Sequence, residues 1–152
     1  MTSRSESAED RSETGSVGLS DLGDSIDIAT FEQILEMDDD EDERDFSKGI
    51  VFGFFDQAEQ TFQRMDKALT KHDLDELSSL GHFLKGSSAT LGLTKVKDSC
   101  EKIQHYGARK DEHGNATDKS DSQCLELIMS TVGDVKKEYK EAEKVLRRFY
   151  QD

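Results

Sequence analysis

The sequence predicts an all-α protein: an antiparallel four-helix bundle with a short N-terminal covering helix and a disordered acidic N-terminal tail. Three observations lead to this fold class. The 152 residues contain no proline, which suits long uninterrupted helices. Apolar residues recur in steps of three and four, and no segment alternates as a strand does. Four substantial helical segments are joined mostly by short connections, as antiparallel neighbours in a bundle are.

Charge divides the chain into two parts. Residues 1–45 hold 16 acidic residues and 3 arginines, whereas the other 107 residues hold 18 acidic and 17 basic residues. We therefore assign residues 1–27, which are rich in Ser, Glu, Asp and Gly, to a disordered tail and residues 28–152 to the folded domain. The nearly neutral domain lacks the basic surface that nucleic acid requires, so we expect no nucleic-acid partner.

The first helix is expected near residues 30–37, where Thr30 and Gln33 have capping-box spacing. Residues 38–45 hold seven acidic side chains in eight positions, and their mutual repulsion favours a solvated linker. A long helix follows at about 45–70. Its predicted apolar face consists of Phe46, Ile50, Phe54, Ala58, Met65 and Leu69, with Phe55 and Phe62 near the edge.

The next helix is predicted to run from a cap at Asp73 or Glu76 to Leu91, with Gly92 as its C-terminal stop. A further helix is expected at 94–107, and the polar residues 108–120 form a loop. The last helix covers about 121–150. Its apolar positions, which face the bundle, are Leu125, Ile128, Val132, Val135, Tyr139, Ala142, Leu146 and Phe149.

The two cysteines, Cys100 and Cys124, lie at apolar positions of helical patterns. They are expected to be buried, reduced thiols rather than a disulfide. No apolar run approaches 18 residues and no signal peptide is evident, so neither a membrane span nor membrane association is expected. The cysteines and histidines show no metal-ligand spacing, and no metal site is predicted.

One histidine stands on the wrong side of its helix for a core residue. At 100° per residue, the predicted buried stripe consists of Leu77, Leu80, Leu84, Ser88 and Leu91. His82 falls roughly 170° from the middle of that stripe, so its imidazole should face solvent. Lys85 and Gly86 are its neighbours one helical turn on. A glycine inside a helix costs about 1 kcal/mol relative to alanine, so Gly86 needs a reason.

This arrangement suits an imidazole that carries a phosphoryl group. An ordinary imidazole is largely neutral at cellular pH and is then a nucleophile. Lys85 can offset the charge of the group after transfer. Gly86 and Ala89 leave room for a partner to approach, and Ser78 and Ser79 extend the ring of small residues.

The sequence lacks the other parts of a kinase. There is no glycine-rich phosphate loop for a nucleotide, and no acidic cluster near His82 that could hold Mg²⁺. We therefore expect a carrier without ATP-dependent kinase activity of its own and without a resident cofactor. The metal ion would come from the partner.

The run His82-x-x-Lys85-Gly86-Ser87-Ser88-Ala89-x-Leu91-Gly92 resembles the signature of histidine phosphotransfer (HPt) domains. The following segment Cys100-Glu101-Lys102-Ile103-Gln104 makes it most similar to the fungal phosphorelay intermediates. The resemblance implies that His82 is the phosphoacceptor, that Lys85 stabilises phosphohistidine and that Gly86 gives a partner access. It also places Gln104 next to the phosphorylation site. The match to the family's pattern weakens at Ala108, so no role is assigned to Arg109.

The resemblance further implies partners. These would be receiver domains of hybrid histidine kinases and of response regulators, with Mg²⁺ supplied by each receiver. It implies a monomer that acts in osmotic or oxidative stress signalling in the cytoplasm and nucleus. The docking surface is expected to combine the face around His82 with Phe83 and with Ile34, Leu35 and Met37 of the first helix.

Two rival functions stay open. One is a helical adaptor that binds protein partners without covalent chemistry. The other is the dimerisation and phosphoacceptor part of a histidine kinase. It is disfavoured because no ATP-binding domain follows and because Phe83, not an acid that could act as a general base, follows His82.

Overall fold

In the computed structural model, which describes residues 25–39 and 43–150, five helices account for the fold. They are α1 (Ile28–Leu35), α2 (Asp45–Thr70), α3 (Leu74–Leu91), α4 (Thr94–Gly107) and α5 (Asp121–Phe149). Helices α2 to α5 form a ring in which each contacts two neighbours, and α1 contacts α2 and α3. The helical bundle with a short covering helix is thus confirmed, whereas the predicted tail lies almost wholly outside the described residues.

The boundaries of α3 follow from local chemistry, as predicted. The carboxylate of Asp73 accepts a hydrogen bond from the backbone N–H of Glu76 at 3.1 Å. Gly92 ends the helix with a φ of 78°, in the left-handed region that favours glycine. Helix α5 begins as predicted, and a capping box between Ser120 and Gln123 fixes its first turn.

Helix α1 begins two residues earlier than predicted, and the expected capping box is wrong. Asp27 is the N-cap, while Thr30 lies inside the helix and donates its hydroxyl to Asp27 Oδ2 at 2.8 Å. Ile26 is buried, and the N–H of Asp27 donates to the carbonyl of Gly92 at 2.7 Å. The folded part therefore includes residues just ahead of the boundary that the charge pattern places at residue 28.

Asp38, the first residue of the predicted acidic linker, is not simply solvated. Asp38 accepts hydrogen bonds from the backbone N–H of Ser47 at 2.8 Å and from its hydroxyl at 2.7 Å. Ser47 is the third residue of α2, whose own N-cap, Arg44, makes no side-chain capping bond. Asp38 therefore caps α2 from the preceding linker, where its negative charge is favourable.

The core lies between the four long helices and is almost entirely apolar. Its largest fully buried side chains are Tyr139, Phe31, Met65, Leu77, Leu84, Leu91, Leu93, Ile103, Ile128, Leu146 and Val51. The predicted face of α2 needs one correction, because Phe46 is 49% exposed and Val51 takes a core position. On the helical projection Phe46 lies roughly 110° from the centre of the buried face.

Two glycines allow α3 and α4 to pack closely. A Cβ added to Gly81 would lie 2.8 Å from the carbonyl oxygen of Cys100 and 2.8 Å from the backbone nitrogen of Gln104. A Cβ added to Gly107 would lie 2.6 Å from the backbone nitrogen of Ser78. All three distances are far below van der Waals contact, so the backbones of the two helices touch only because these side chains are absent.

The cysteines are confirmed as buried, free thiols. Burial, with a smaller contribution from the charge of Glu138, raises the pKa of Cys100 to about 12. Cys100 therefore stays protonated at neutral pH and serves as a small packing residue.

Within the described part of the chain, no helix is long and apolar enough to cross a membrane. Nor do three or more His, Cys, Asp or Glu side chains of these residues come close enough together to hold a metal ion.

Candidate functional site

His82 lies on the solvent side of α3, where the helical projection places it. The buried residues of this helix are Leu74, Leu77, Leu80, Gly81, Leu84, Ser88 and Leu91. His82 itself is exposed, and its imidazole makes no hydrogen bond to a described residue. The imidazole therefore takes no part in holding the bundle together and is open to a partner.

Gly86 has no neighbour that requires a glycine. A Cβ added at this position would meet nothing within 4 Å. Since the fold gains nothing from the missing side chain, the helix accepts a cost of about 1 kcal/mol without any compensation from packing. The vacant space lies on the same face as His82, one turn away.

The other predicted residues around His82 divide by exposure. Lys85 is partly buried and forms no ion pair with the described residues, which leaves its ammonium group available for a negative charge nearby. Ser79 and Ala89 are exposed, as the ring of small residues requires. Phe83 is 49% exposed, so it lies at the surface more than under α1.

Ser78 and Gln104 join α3 to α4 beside the histidine. The hydroxyl of Ser78 donates to the backbone carbonyl of Gln104 at 2.9 Å, so Ser78 has a structural partner. The side-chain oxygen Oε1 of Gln104 is buried and has no hydrogen-bond partner among the described residues. An unsatisfied buried acceptor costs about 1–3 kcal/mol. The hydroxyl oxygen of Ser88, on the core side of α3, is likewise buried without a partner among the described residues.

A groove between α2 and α3 adjoins this face and was not expected from the sequence. It has a volume of about 370 Å³, and we call it the α2–α3 groove. Its lining residues are Gly49, Ile50, Gly53, Phe54, Gln57, Ser87, Thr90 and Leu91. On the projection of α3, Gly86 stands between His82 and Thr90 in steps of roughly 40°, so the groove and the histidine share one continuous surface.

The two groove glycines of α2 resemble Gly86. A Cβ added to Gly49 or Gly53 would meet nothing within 4 Å. Two unforced glycines four positions apart inside a helix are the sequence signal that could have revealed the groove. Phe46 shares this side of α2 with Gly53 and Gln57 and extends the surface with an exposed aromatic ring.

The first helix contributes differently from expectation. Met37 is 62% exposed and Leu35 is partly buried, so both reach the surface. Ile34 is only 6% exposed because it packs into the core, which removes its side chain from the predicted docking surface. Helix α1 thus turns its apolar side inward and presents Met37 just beyond its end.

His105 and Arg109 have structural partners at the other end of the bundle. The ring nitrogen Nδ1 of His105 lies 2.9 Å from the carbonyl oxygen of Glu112 and holds the loop after α4. The guanidinium of Arg109 contacts Asp75 and Asp121, each at 3.2 Å. Hydrogen bonding to Asp75 and the charge of Asp121 raise the pKa of Arg109.

The family model of the Hpt domain matches residues 50–142, more than half of the chain. The chain is a member of the Hpt family. The matched region of this Hpt protein contains the whole of α3 and α4, and with them His82, Lys85, Gly86 and Gln104. It leaves α1 and the first turn of α2 outside. The resemblance seen in the sequence is therefore confirmed.

Two curated fungal proteins are similar to this Hpt chain. Multistep phosphorelay regulator 1 of Schizosaccharomyces pombe is 50% identical over 126 residues, which make up 83% of this chain and 42% of that protein. Phosphorelay intermediate protein YPD1 of Candida albicans is 54% identical over 82 residues, or 54% of this chain and 44% of that protein. The chain spans less than half the length of these relatives.

A solved structure has the same architecture. It is a co-crystal of the Saccharomyces cerevisiae histidine phosphotransfer signaling protein Ypd1 with the receiver domain of its downstream response regulator Ssk1. The TM-score is 0.74 at 33% identity, and the match covers 84% of this chain and 95% of that chain. The Hpt fold is thus supported across the described helices.

Proposed function

We propose that this Hpt protein is the phosphohistidine carrier of a multistep phosphorelay, with His82 as its phosphoacceptor. The observation that carries the proposal is the pairing of an exposed, unpartnered His82 with Gly86, a helix-weakening glycine that the fold does not need. Membership of the Hpt family and similarity to fungal phosphorelay proteins support it.

In the first step, the unprotonated ring nitrogen of His82 attacks the phosphorus of an aspartyl phosphate on a receiver domain. A nitrogen–phosphorus bond forms, the phosphorus–oxygen bond of the acyl phosphate breaks and the aspartate leaves as a carboxylate. The other ring nitrogen keeps its proton throughout. The reverse exchange delivers the phosphoryl group to an aspartate of a response regulator, so one difficult transfer is divided into two easier ones.

Lys85 supports the phosphorylated state. It lies three positions after His82 and forms no ion pair with the described residues, so its charge is available to offset the phosphoryl oxygens. Each receiver would bring the Mg²⁺ and the acidic pocket that hold the phosphoryl group in transfer. The carrier itself would have no ATP-dependent kinase activity.

The proposed partners are receiver domains of hybrid histidine kinases and response regulators. The relative Ypd1 was crystallised with such a receiver domain. In this chain the docking surface would consist of the α2–α3 groove, the exposed rings of Phe46 and Phe83, Leu35 at the end of α1, and Met37 just beyond it. A glycine-rich groove flanked by exposed apolar side chains favours close approach of a partner helix.

Three further expectations are part of the proposal. The protein would act as a monomer, because one exposed face presents the complete site. It would act in both cytoplasm and nucleus, and in osmotic or oxidative stress signalling, as the resemblance to fungal relays implies.

The proposal is tested by incubating the full-length chain with a phosphorylated receiver domain. Wild-type protein should acquire an acid-labile, alkali-stable label, and His82→Gln should acquire none while its helical content and melting temperature stay unchanged. His113→Gln, at another exposed histidine, is the matched control and should be labelled normally. Full labelling of His82→Gln would overturn the assignment, and an unlabelled wild type that still binds receivers would favour the adaptor.

A further inference from the structure

Three side chains link the end of α5 to the start of α2. The hydroxyl of Tyr150 donates to Ser47 Oγ at 2.8 Å, and the hydroxyl of Ser47 donates to Asp38 at 2.7 Å. The N–H of Ser47 donates to the same carboxylate at 2.8 Å. Tyr150 and Ser47 are 103 positions apart, so this Asp38–Ser47–Tyr150 network exists only in the folded chain.

Each donor in the network meets a suitable acceptor. Ser47 has a single hydroxyl proton, and by giving it to Asp38 it leaves a lone pair for the phenol of Tyr150. Burial, together with the nearby charge of Asp38, raises the pKa of Tyr150 to about 12, so the phenol remains a donor at neutral pH. Ser47 is 0% exposed, so the centre of the network is shielded from water, while Asp38 and Tyr150 are partly buried.

Aromatic packing fixes the network in place. The ring of Tyr150 has its centroid 5.0 Å from that of Phe149 and 6.1 Å from that of Phe52. Phe149 in turn contacts Phe31 of α1, with the centroids 5.5 Å apart. The end of α5 therefore supports both α1 and the start of α2.

Asp38 and Ser47 each follow an exposed apolar residue in the chain. Met37 precedes Asp38 and is 62% exposed, and Phe46 precedes Ser47 and is 49% exposed. Phe46 extends the side of α2 that lines the α2–α3 groove. The network thus fixes the backbone at two exposed apolar groups of the surface assigned above to receiver docking.

We propose that Tyr150, acting through Ser47 and Asp38, is a positioning residue for receiver docking because it keeps Met37 and Phe46 aligned with the α2–α3 groove. This inference rests on the proposed function. Tyr150 touches neither His82 nor the reacting atoms, so loss of its hydroxyl should weaken recognition of the receiver and leave the transfer step itself unchanged.

The test measures phosphoryl transfer to full-length Tyr150→Phe at increasing concentrations of phosphorylated receiver. The half-saturating receiver concentration should rise about two- to tenfold, the range expected for loss of one hydrogen bond. The maximal rate should equal that of the wild type. Ser47→Ala should act similarly, and the double variant should be no worse than Ser47→Ala alone, because both changes break one network.

Tyr139→Phe is the matched control. It removes a phenol that donates to Glu59 at 3.0 Å and lies 3.3 Å from the carbonyl oxygen of Phe55. This contact also joins α5 to α2, but inside the bundle and away from Met37 and Phe46. This variant should lose stability without any rise in the half-saturating receiver concentration.

Suppose that the wild type transfers normally and that Tyr150→Phe has the same half-saturating receiver concentration as the wild type. This result would overturn the inference and leave the proposed function intact. A rise in both tyrosine variants in proportion to their loss of stability would also overturn it, because it would show a purely structural role. If the wild type accepted no phosphoryl group at all, the proposed function would fail and the inference with it.

Discussion

The two glycines of α3 at positions 81 and 86 look alike in the sequence but do opposite things. Gly81 faces α4, and a side chain there would collide with the backbone of Cys100 and Gln104 at 2.8 Å. Gly86 faces solvent, and a side chain there would meet nothing within 4 Å. The inner face of the helix therefore uses glycine for packing, whereas the outer face keeps glycine for something outside the fold.

The largest expected effect is that of Gly81→Ala. The added Cβ clashes with backbone, which cannot rotate away, so we expect a loss of at least about 1–3 kcal/mol in the free energy of unfolding. Denaturant unfolding measures it. Gly133→Ala in α5 is the control, because nothing lies within 4 Å of its Cβ and replacing a helical glycine should stabilise by up to about 1 kcal/mol. An unchanged midpoint for Gly81→Ala would show that the helices can separate without cost.

The next effect is that of Gly86→Gln. Its stability should equal or slightly exceed that of the wild type, because glutamine is a better helix former than glycine. Phosphoryl transfer from a receiver should fall by about tenfold or more, since a docking clash of about 1.4 kcal/mol already has that effect. Gly86→Ala, with its smaller side chain, should transfer at an intermediate rate. A glutamine variant that transfers normally would contradict the role given to this glycine.

The smallest effect concerns the pH dependence of the free energy of unfolding. It arises from Cys100 of α4, the helix that packs against Gly81. Burial raises the pKa of Cys100 to about 12, so the folded state holds the thiol proton above pH 9, where the unfolded chain releases it. Stability due to this group is therefore complete below pH 9 and declines as pH rises towards 12. Between pH 9 and 10, wild-type protein should lose about 1 kcal/mol more stability than Cys100→Ala. If the free energy of unfolding falls equally with pH in the two proteins, this role of Cys100 is refuted.

Much of the fold could be predicted because its signals are local. Asp73 and Gly92 specify the limits of α3 through their own capping chemistry, and helical periodicity placed His82 in solvent. In the sequence alone, Gly81 and Gly86 are both glycines that weaken the same helix, and nothing local tells them apart. Only the position of α4 separates a glycine needed for close packing from one that the fold does not need.

The rest of the proposed docking surface could not be predicted because it depends on contacts between distant residues. The capping of α2 by Asp38 requires a contact with Ser47, nine positions further along the chain, and the burial of Ile34 depends on how α1 lies across the bundle. Phe46 illustrates the same limit. Its apolar character suggested a core position, but the orientation of α2 exposes it beside the groove.

The two ends of the bundle differ in how strongly salt weakens the interactions that hold them. At the end where α3 begins, Arg109 holds Asp75 and Asp121 through exposed ion pairs of 3.2 Å. Ions screen such pairs, and the Debye length is already about 8 Å at 0.15 M. The opposite end is held by aromatic rings and by hydrogen bonds between part-buried groups, on which ions have little effect. A rise in ionic strength therefore loosens the loop after α4 and leaves the end that holds α1 and the start of α2 in its shape.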